Sequence, residues 1–110
     1  MAYDEDLADR LRELLAGEEG VTEKKMFGGL AFLVNGNMAV SASHDGGVLV
    51  RVDPADTDEA LERPHVALME MRGRTMPGWL RVAPEGVQGA ADLAEWAQRG
   101  VAFAKTLPPK

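Results

Sequence analysis

The sequence has no cysteine among its 110 residues, which excludes disulfide bonds, thiolate metal ligands and cysteine nucleophiles. Its two histidines, His44 and His65, have no third ligand at a metal-binding spacing. No apolar run approaches the roughly 20 residues that a membrane span requires. The acidic start lacks the basic and apolar regions of a signal peptide. We therefore expect a cytoplasmic protein with no membrane segment, no metal and no other cofactor.

Positive charge is in the minority, with 12 basic against 18 acidic residues and a net charge of −6. Such a chain repels the phosphate backbone of nucleic acid unless its cations gather on one face. Nucleic acid is therefore a possible partner but not the favoured one. A local basic patch would have to draw on Lys24, Lys25, Arg51, Arg72, Arg74 and Arg81.

Helical periodicity appears at both ends of the chain. Leu7, Leu11, Leu14 and Leu15 form one apolar stripe, with Asp4 or Asp6 available to cap the helix that carries them. A second long helix is predicted over Ala90–Lys105. This helix contains Gly100, and a mid-helix glycine costs about 1 kcal/mol relative to alanine. We therefore expect Gly100 to permit a close approach of another backbone.

Strand signals fill the middle of the chain. The Asn35-Gly36 pair predicts a type I′ hairpin between strands at 30–34 and 37–42. A further strand is predicted at 48–52, and Asp53-Pro54 then opens a short helix. Two more strands at about 67–72 and 78–83 give the order αβββαββα. The predicted fold is a single α+β domain over residues 1–110, a two-layer domain with an antiparallel sheet packed with helices.

Two features of the strands bear on binding. Gly28-Gly29 is read as a bend or bulge before a strand, with a phosphate cradle as the alternative. Arg51 shares a strand face with Leu49 by alternation, so its guanidinium either extends to an edge of the sheet, pairs with a carboxylate such as Glu70, or receives an anionic ligand. The methionines are numerous, and thioethers fill irregular cores or line adaptable binding surfaces.

Catalytic patterns are not apparent. Ser41 and Ser43 stand in no nucleophile motif, and the carboxylates around the short helix form a charge run typical of a solvated surface. We therefore do not expect an enzyme.

Several segments together resemble one known family: Lys-Met-Phe-Gly-Gly at 25–29, the hairpin at 32–38, and the segments at 49–52, 73–79 and 96–110. On these segments the chain resembles the N-terminal domain of TfoX/Sxy proteins. Members of that family include regulators of natural competence that act with a cAMP-responsive transcription activator, and the full-length regulators carry a second domain of comparable size. The resemblance implies an α+β two-layer fold and, more weakly, a regulatory or protein-binding character.

The resulting hypothesis is a non-enzymatic regulatory or protein-interaction domain, with a role related to transcription or competence. Its partner would be an unidentified protein, or a second copy of the chain if an apolar sheet face is self-complementary. A basic nucleic-acid patch and a small-ligand site beside Gly28-Gly29 and Arg51 remain alternatives. The candidate binding residues are Lys24, Lys25, Met26, Phe27, Gly28, Gly29, Arg51, Arg74, Met76 and Trp79.

Overall fold

The α+β class predicted from the sequence is confirmed by a computed structural model, which describes residues 4–26 and 28–109. The α-helices are α1 (Glu5–Leu15), α2 (Thr57–Leu61) and α3 (Ala90–Lys105). The strands are β1 (Val21–Met26), β2 (Gly29–Val34), β3 (Asn37–Ala42), β4 (Val48–Arg51), β5 (Val66–Met71) and β6 (Arg74–Val82). Every neighbouring pair of strands is antiparallel, in the spatial order β1-β2-β3-β4-β6-β5.

Strand β1 is an addition to the predicted order, in which the first strand begins at residue 30. Its interior, Thr22–Lys25, is polar and exposed, so it lacks the apolar alternation from which strands are predicted. It lies at the sheet edge, where charged side chains also discourage pairing with other chains. Arg12 of α1 holds it through two hydrogen bonds to Glu23, of 2.8 and 3.0 Å, which lower the pKa of that carboxyl.

All three helices cover the same face of the sheet and bury one main core with it. Asp4 proves to be the cap of α1, accepting hydrogen bonds from the backbone N–H groups of Asp6 and Leu7. The helical contribution to the core is mostly leucine and alanine around one large ring, that of Trp96, which is 2% exposed. The chain is thus a two-layer domain, with helices on one side and the sheet on the other.

Helix α3 approaches the sheet closely at Gly100, as its position in the helix predicted. Strand β3 has one extra residue, Ala39, between its pairings with Phe32 and Leu33 of β2. The carbonyl of Ala39 points at α3, and a Cβ on Gly100 would overlap its oxygen. The β-bulge and the glycine therefore fit together as one packing unit.

Helix α2 has only five residues, and two ion pairs join this helix and the segment directly after it to α3. Arg63 donates hydrogen bonds of 2.6 and 2.9 Å to Glu95, and Arg99 donates one of 2.9 Å to Glu59. Both guanidinium groups stack on the Trp96 ring, each 5.2 Å from its centroid. The pairing lowers the pKa of Glu95 and raises that of Arg63.

We predict that Gly100→Ala lowers the free energy of unfolding by about 2 kcal/mol, because the new methyl group must displace either α3 or the bulge. The gain in helix propensity, about 1 kcal/mol, is too small to offset this. Urea denaturation measures the difference. Gly17→Ala is the control, since nothing lies within 4 Å of a Cβ at that site, and its effect should stay within about 0.5 kcal/mol. Equal effects for both variants would contradict the packing argument.

We predict that Glu95→Gln lowers stability at neutral pH by about 0.5 kcal/mol, the usual size for an exposed ion pair. Because the folded-state pKa of Glu95 is lowered, its contribution is complete above the unfolded-state pKa of about 4.3 and is lost as the pH falls through the folded-state value. Melting temperatures measured from pH 7 to pH 3 should therefore converge for wild type and variant at the acidic end. Glu85→Gln, at an exposed position away from this pairing, provides the control.

Candidate functional site

The face of the sheet opposite the helices, here called the open face, carries a second apolar cluster. Its floor is buried, whereas its rim is only partly buried and reaches solvent. Within the described residues, every helical apolar side chain that packs in a core belongs to the main core and none to this one. The floor consists of Ala31, Met38, Leu49 and Met69, and the rim of Met26, Leu33, Met76 and Trp79.

Strand pairing aligns one row of side chains across the open face. Lys24 lies opposite Ala31, which lies opposite Ser41, and Ser41 in turn lies opposite Leu49, which faces Arg81. Cross-strand partners share a face of the sheet. The middle of this row is therefore small and buried, since Ala31 and Ser41 are 0% and 2% exposed, and a cation stands toward each end.

A bulge in β6 places Met76 and Trp79 on the same face. In a regular strand, residues three apart point to opposite faces. Leu68 of β5 pairs with Leu80, and Glu70 pairs with Thr75. Between these pairings β5 has one residue, Met69, whereas β6 has four, so β6 bulges outward. Gly78, at φ +83°, makes the bend, and its N–H donates a 2.9 Å hydrogen bond to the hydroxyl of Thr57. The bulge is thereby fixed to the start of α2.

The bulge and the β5–β6 turn border a groove of ≈ 610 Å³, which lies within the range of about 300–1,000 Å³ that is usual for ligand sites. Arg72 and Gly73 form the turn with φ values of +55° and +78°, so β6 begins at Arg74, earlier than predicted. The groove is lined by Arg72, Arg74, Thr75, Met76, Pro77 and Trp79. Cationic and apolar groups therefore meet in one concave surface.

Arg51 ends β4 and is stacked between two aromatic rings. Its guanidinium carbon lies 4.9 Å from the centroid of Trp79 and 5.5 Å from that of Phe103 on α3. Among the described residues no carboxylate lies within ion-pair distance of Arg51, so the expected pairing with Glu70 is wrong. The strands carrying them are separated by β6, and the aromatic rings take the place of a counter-ion.

The structure gathers part of the predicted surface and separates the rest. Met26, Met76 and Trp79 meet in the second cluster, with Lys24, Arg51 and Arg74 around it. Lys25 faces the helical side, opposite Leu30. Phe27 lies outside the described residues.

The two predicted glycines act in the backbone. Gly28 has φ +74° in the β1–β2 turn, near His44, and a Cβ on Gly29 would overlap the carbonyl oxygen of Ala42. These contacts match the interpretation of Gly28-Gly29 as a tight bend. Gly29 lies at the end of β2 that aligns with the start of β4, whereas Arg51 ends β4. The proposed small-ligand site would therefore have to combine groups at opposite ends of the central strands.

A second concavity, of ≈ 400 Å³, lies at the end of the sheet near Ser43, His65 and Arg81. Asp45 accepts a 3.1 Å hydrogen bond from Arg81 and one of 3.0 Å from the Gly47 N–H. Burial alone would raise the pKa of Asp45, but these two partners lower it overall. Over residues 4–26 and 28–109, no three His, Asp or Glu side chains gather as a metal site.

Sequence reasoning missed the floor of the second cluster and one of its four rim residues, Leu33. The sequence places these residues in predicted strands but not on a common face: Ala31, Leu33, Met38, Leu49 and Met69. The alternation of Leu49 with Arg51 is one signal, and the fully apolar segment at 30–34 is another, since a strand that is apolar at every position is typically covered on both faces. Met38 and Met69 adjoin bulges, which break the alternation needed to place them.

Comparison with known families identifies the fold. The family model of the TfoX N-terminal domain matches residues 13–104, so the chain belongs to the TfoX N-terminal domain family. Comparisons with curated proteins and with solved structures gave no significant match. Within the part of the chain that the structure describes, no helix has the length and apolar character needed to cross a membrane.

We predict that Arg51→Met changes the free energy of unfolding by less than about 1 kcal/mol, the scale of a partly exposed cation–π contact. Loss of one partner from a buried ion pair would instead cost about 3–5 kcal/mol. Combining the change with Glu70→Gln in a double-mutant cycle should give a coupling energy within about 0.3 kcal/mol of zero. A coupling energy above about 1 kcal/mol would show instead that Arg51 and Glu70 form an ion pair.

Proposed function

We propose that this chain is a non-enzymatic interaction domain that binds another protein through its open face. The second apolar cluster is the observation that supports the proposal most directly. Soluble domains rarely leave such clusters in contact with solvent unless they mark interaction sites. The helices already cover the other face of the sheet, so the open face is where a further layer would be added.

The chemistry of the open face suits a protein surface. Flexible thioethers such as Met26 and Met76 adapt to different apolar side chains, and Trp79 adds a large ring beside them. Tryptophan and arginine are also the residues that most often dominate binding energy at interfaces. Arg51 and Trp79 are already stacked, so less side-chain freedom is lost when a partner covers them.

The biological setting is part of the same proposal. Membership of the TfoX N-terminal domain family supports a regulatory role, and we place it in the cytoplasm and in the control of transcription or competence. In this reading the domain contributes a docking surface to a regulatory complex and does not transform a substrate.

We predict that photo-crosslinking residues introduced at Thr22 or Ala67 form adducts with another protein in lysate of the source cell. Both positions are exposed and face the same way as the second cluster, opposite Leu33 and Arg81 respectively. Crosslinkers at Gln98 and Ala102, exposed on α3, are the matched controls. Gel shifts and mass spectrometry of the adducts provide the measurement.

The outcomes separate the possible partners. An adduct of twice the chain mass identifies a second copy, and a nuclease-sensitive adduct identifies nucleic acid. Adducts that form equally well from the open face and from α3, or only from α3, would reject the open face as the interaction surface.

A further inference from the structure

The charge around the open face is predominantly positive. The six strands together carry five basic side chains and two acidic ones, Glu23 and Glu70. Glu23 lies on the helical side, opposite Phe32, and is already paired with Arg12. The cations beside the second cluster are Lys24, Arg51, Arg74 and Arg81, of which Arg81 is paired with Asp45.

The acidic excess of the chain lies mainly in the helical layer. Helix α1 and its cap carry Asp4, Glu5, Asp6, Asp9 and Glu13. The segment from Asp53 to Glu62, which contains α2, is acidic at half of its ten positions. Although the net charge is −6, the charges are unevenly distributed: the helical side is acidic, and the open face is basic and apolar.

We propose that the open face selects an acidic amphipathic segment of a partner protein. Apolar side chains of that segment would rest on the second cluster, and its carboxylates would lie near Lys24, Arg51 and Arg74. The proposal rests on the proposed function and specifies its partner. Charge complementarity of this kind sets the choice of partner and the rate of association more than the affinity itself.

The charge pattern disfavours the other occupants. A symmetric dimer through the open face would gather the cations of both copies in one interface, because a two-fold interface uses the same patch of each copy. Nucleic acid would meet the same cations but little base-stacking surface, since one side of the Trp79 ring is covered by Arg51. An acidic segment with an apolar side satisfies both the charges and the methionine-rich floor.

The test uses two synthetic peptides of about 14 residues, which span roughly 21 Å as helices and so fit a molecule with extents of 31 × 30 × 28 Å. The two peptides have leucine at the same positions. The charged positions are glutamate in one peptide and lysine in the other. Binding to the full chain is followed by NMR of isotope-labelled methionine methyl groups and of the tryptophan indoles. We expect the glutamate peptide to bind at least about tenfold more tightly, with shifts at Met26, Met76 and Trp79.

Two neighbouring residues provide matched variants. Lys24→Glu reverses a charge on the open face, whereas Lys25→Glu makes the same change in net charge on the helical side. We expect Lys24→Glu to weaken binding of the glutamate peptide at least about threefold and Lys25→Glu to leave that binding nearly unchanged. Raising salt from about 50 to 300 mM should also weaken binding of the glutamate peptide.

Several results would overturn the proposal: equal or tighter binding of the lysine peptide, shifts confined to the helical side, or no methyl shifts with either peptide. Tighter binding of a single-stranded oligonucleotide would reassign the face to nucleic acid. The crosslinking experiment is insensitive to the charge of the partner. Open-face adducts together with a preference for the lysine peptide would therefore reject this inference alone, whereas absent open-face adducts would reject the proposed function.

Discussion

The fit between Gly100 and the bulged carbonyl of Ala39 is the contact on which the arrangement of layers depends. It brings the backbone of α3 against β3, and β3 is one of the two central strands of the sheet. With α3 fixed there, Trp96 occupies the core and orients the two arginines that join α2 to α3. A side chain at position 100 would separate these layers, and dense interiors tolerate such separations poorly.

Two β-bulges determine which side chains lie on the open face. The bulge at Ala39 leaves Met38 and Ser41 on one side of β3, and the bulge at Gly78 does the same for Met76 and Trp79 on β6. Without them, strict alternation would send one member of each pair into the helical core. Two local departures from strand geometry thus produce the methionine-rich surface, in keeping with the frequency of bulges near functional sites.

Several parts of this structure could be predicted from the sequence because their signals are local. The bounds of α3, the Asn35-Gly36 turn and the helical start at Asp53-Pro54 each follow from signals within the element itself. Asp53 caps a 3₁₀ turn at Pro54–Asp56 that leads into α2. Strand β1 was missed because its polar interior has no apolar period, and its position follows only from pairing with β2.

The candidate surface was predicted only in part, because local signals identify residue types but not their arrangement. Residue types that suit binding were identified, including Arg51, Met76 and Trp79, because cations, thioethers and indoles stand out in a sequence. Their grouping depends on register and on bulges, which single-chain patterns do not encode. The pairing of Arg51 with Glu70 was wrong because the order of strands, with β6 between them, is set by tertiary packing.

The attachment of α2 has a consequence for how the molecule fluctuates. This helix fully buries only Thr57 and Ala60, and its charged link to α3 is largely at the surface. Segments with few buried contacts open at a lower free energy than the global transition. We therefore expect the amide hydrogens of α2 to exchange with solvent through local detachment, well before those of β3 and β4. Since the hydroxyl of Thr57 holds the N–H of Gly78, each such opening also releases the bend that aims Met76 and Trp79.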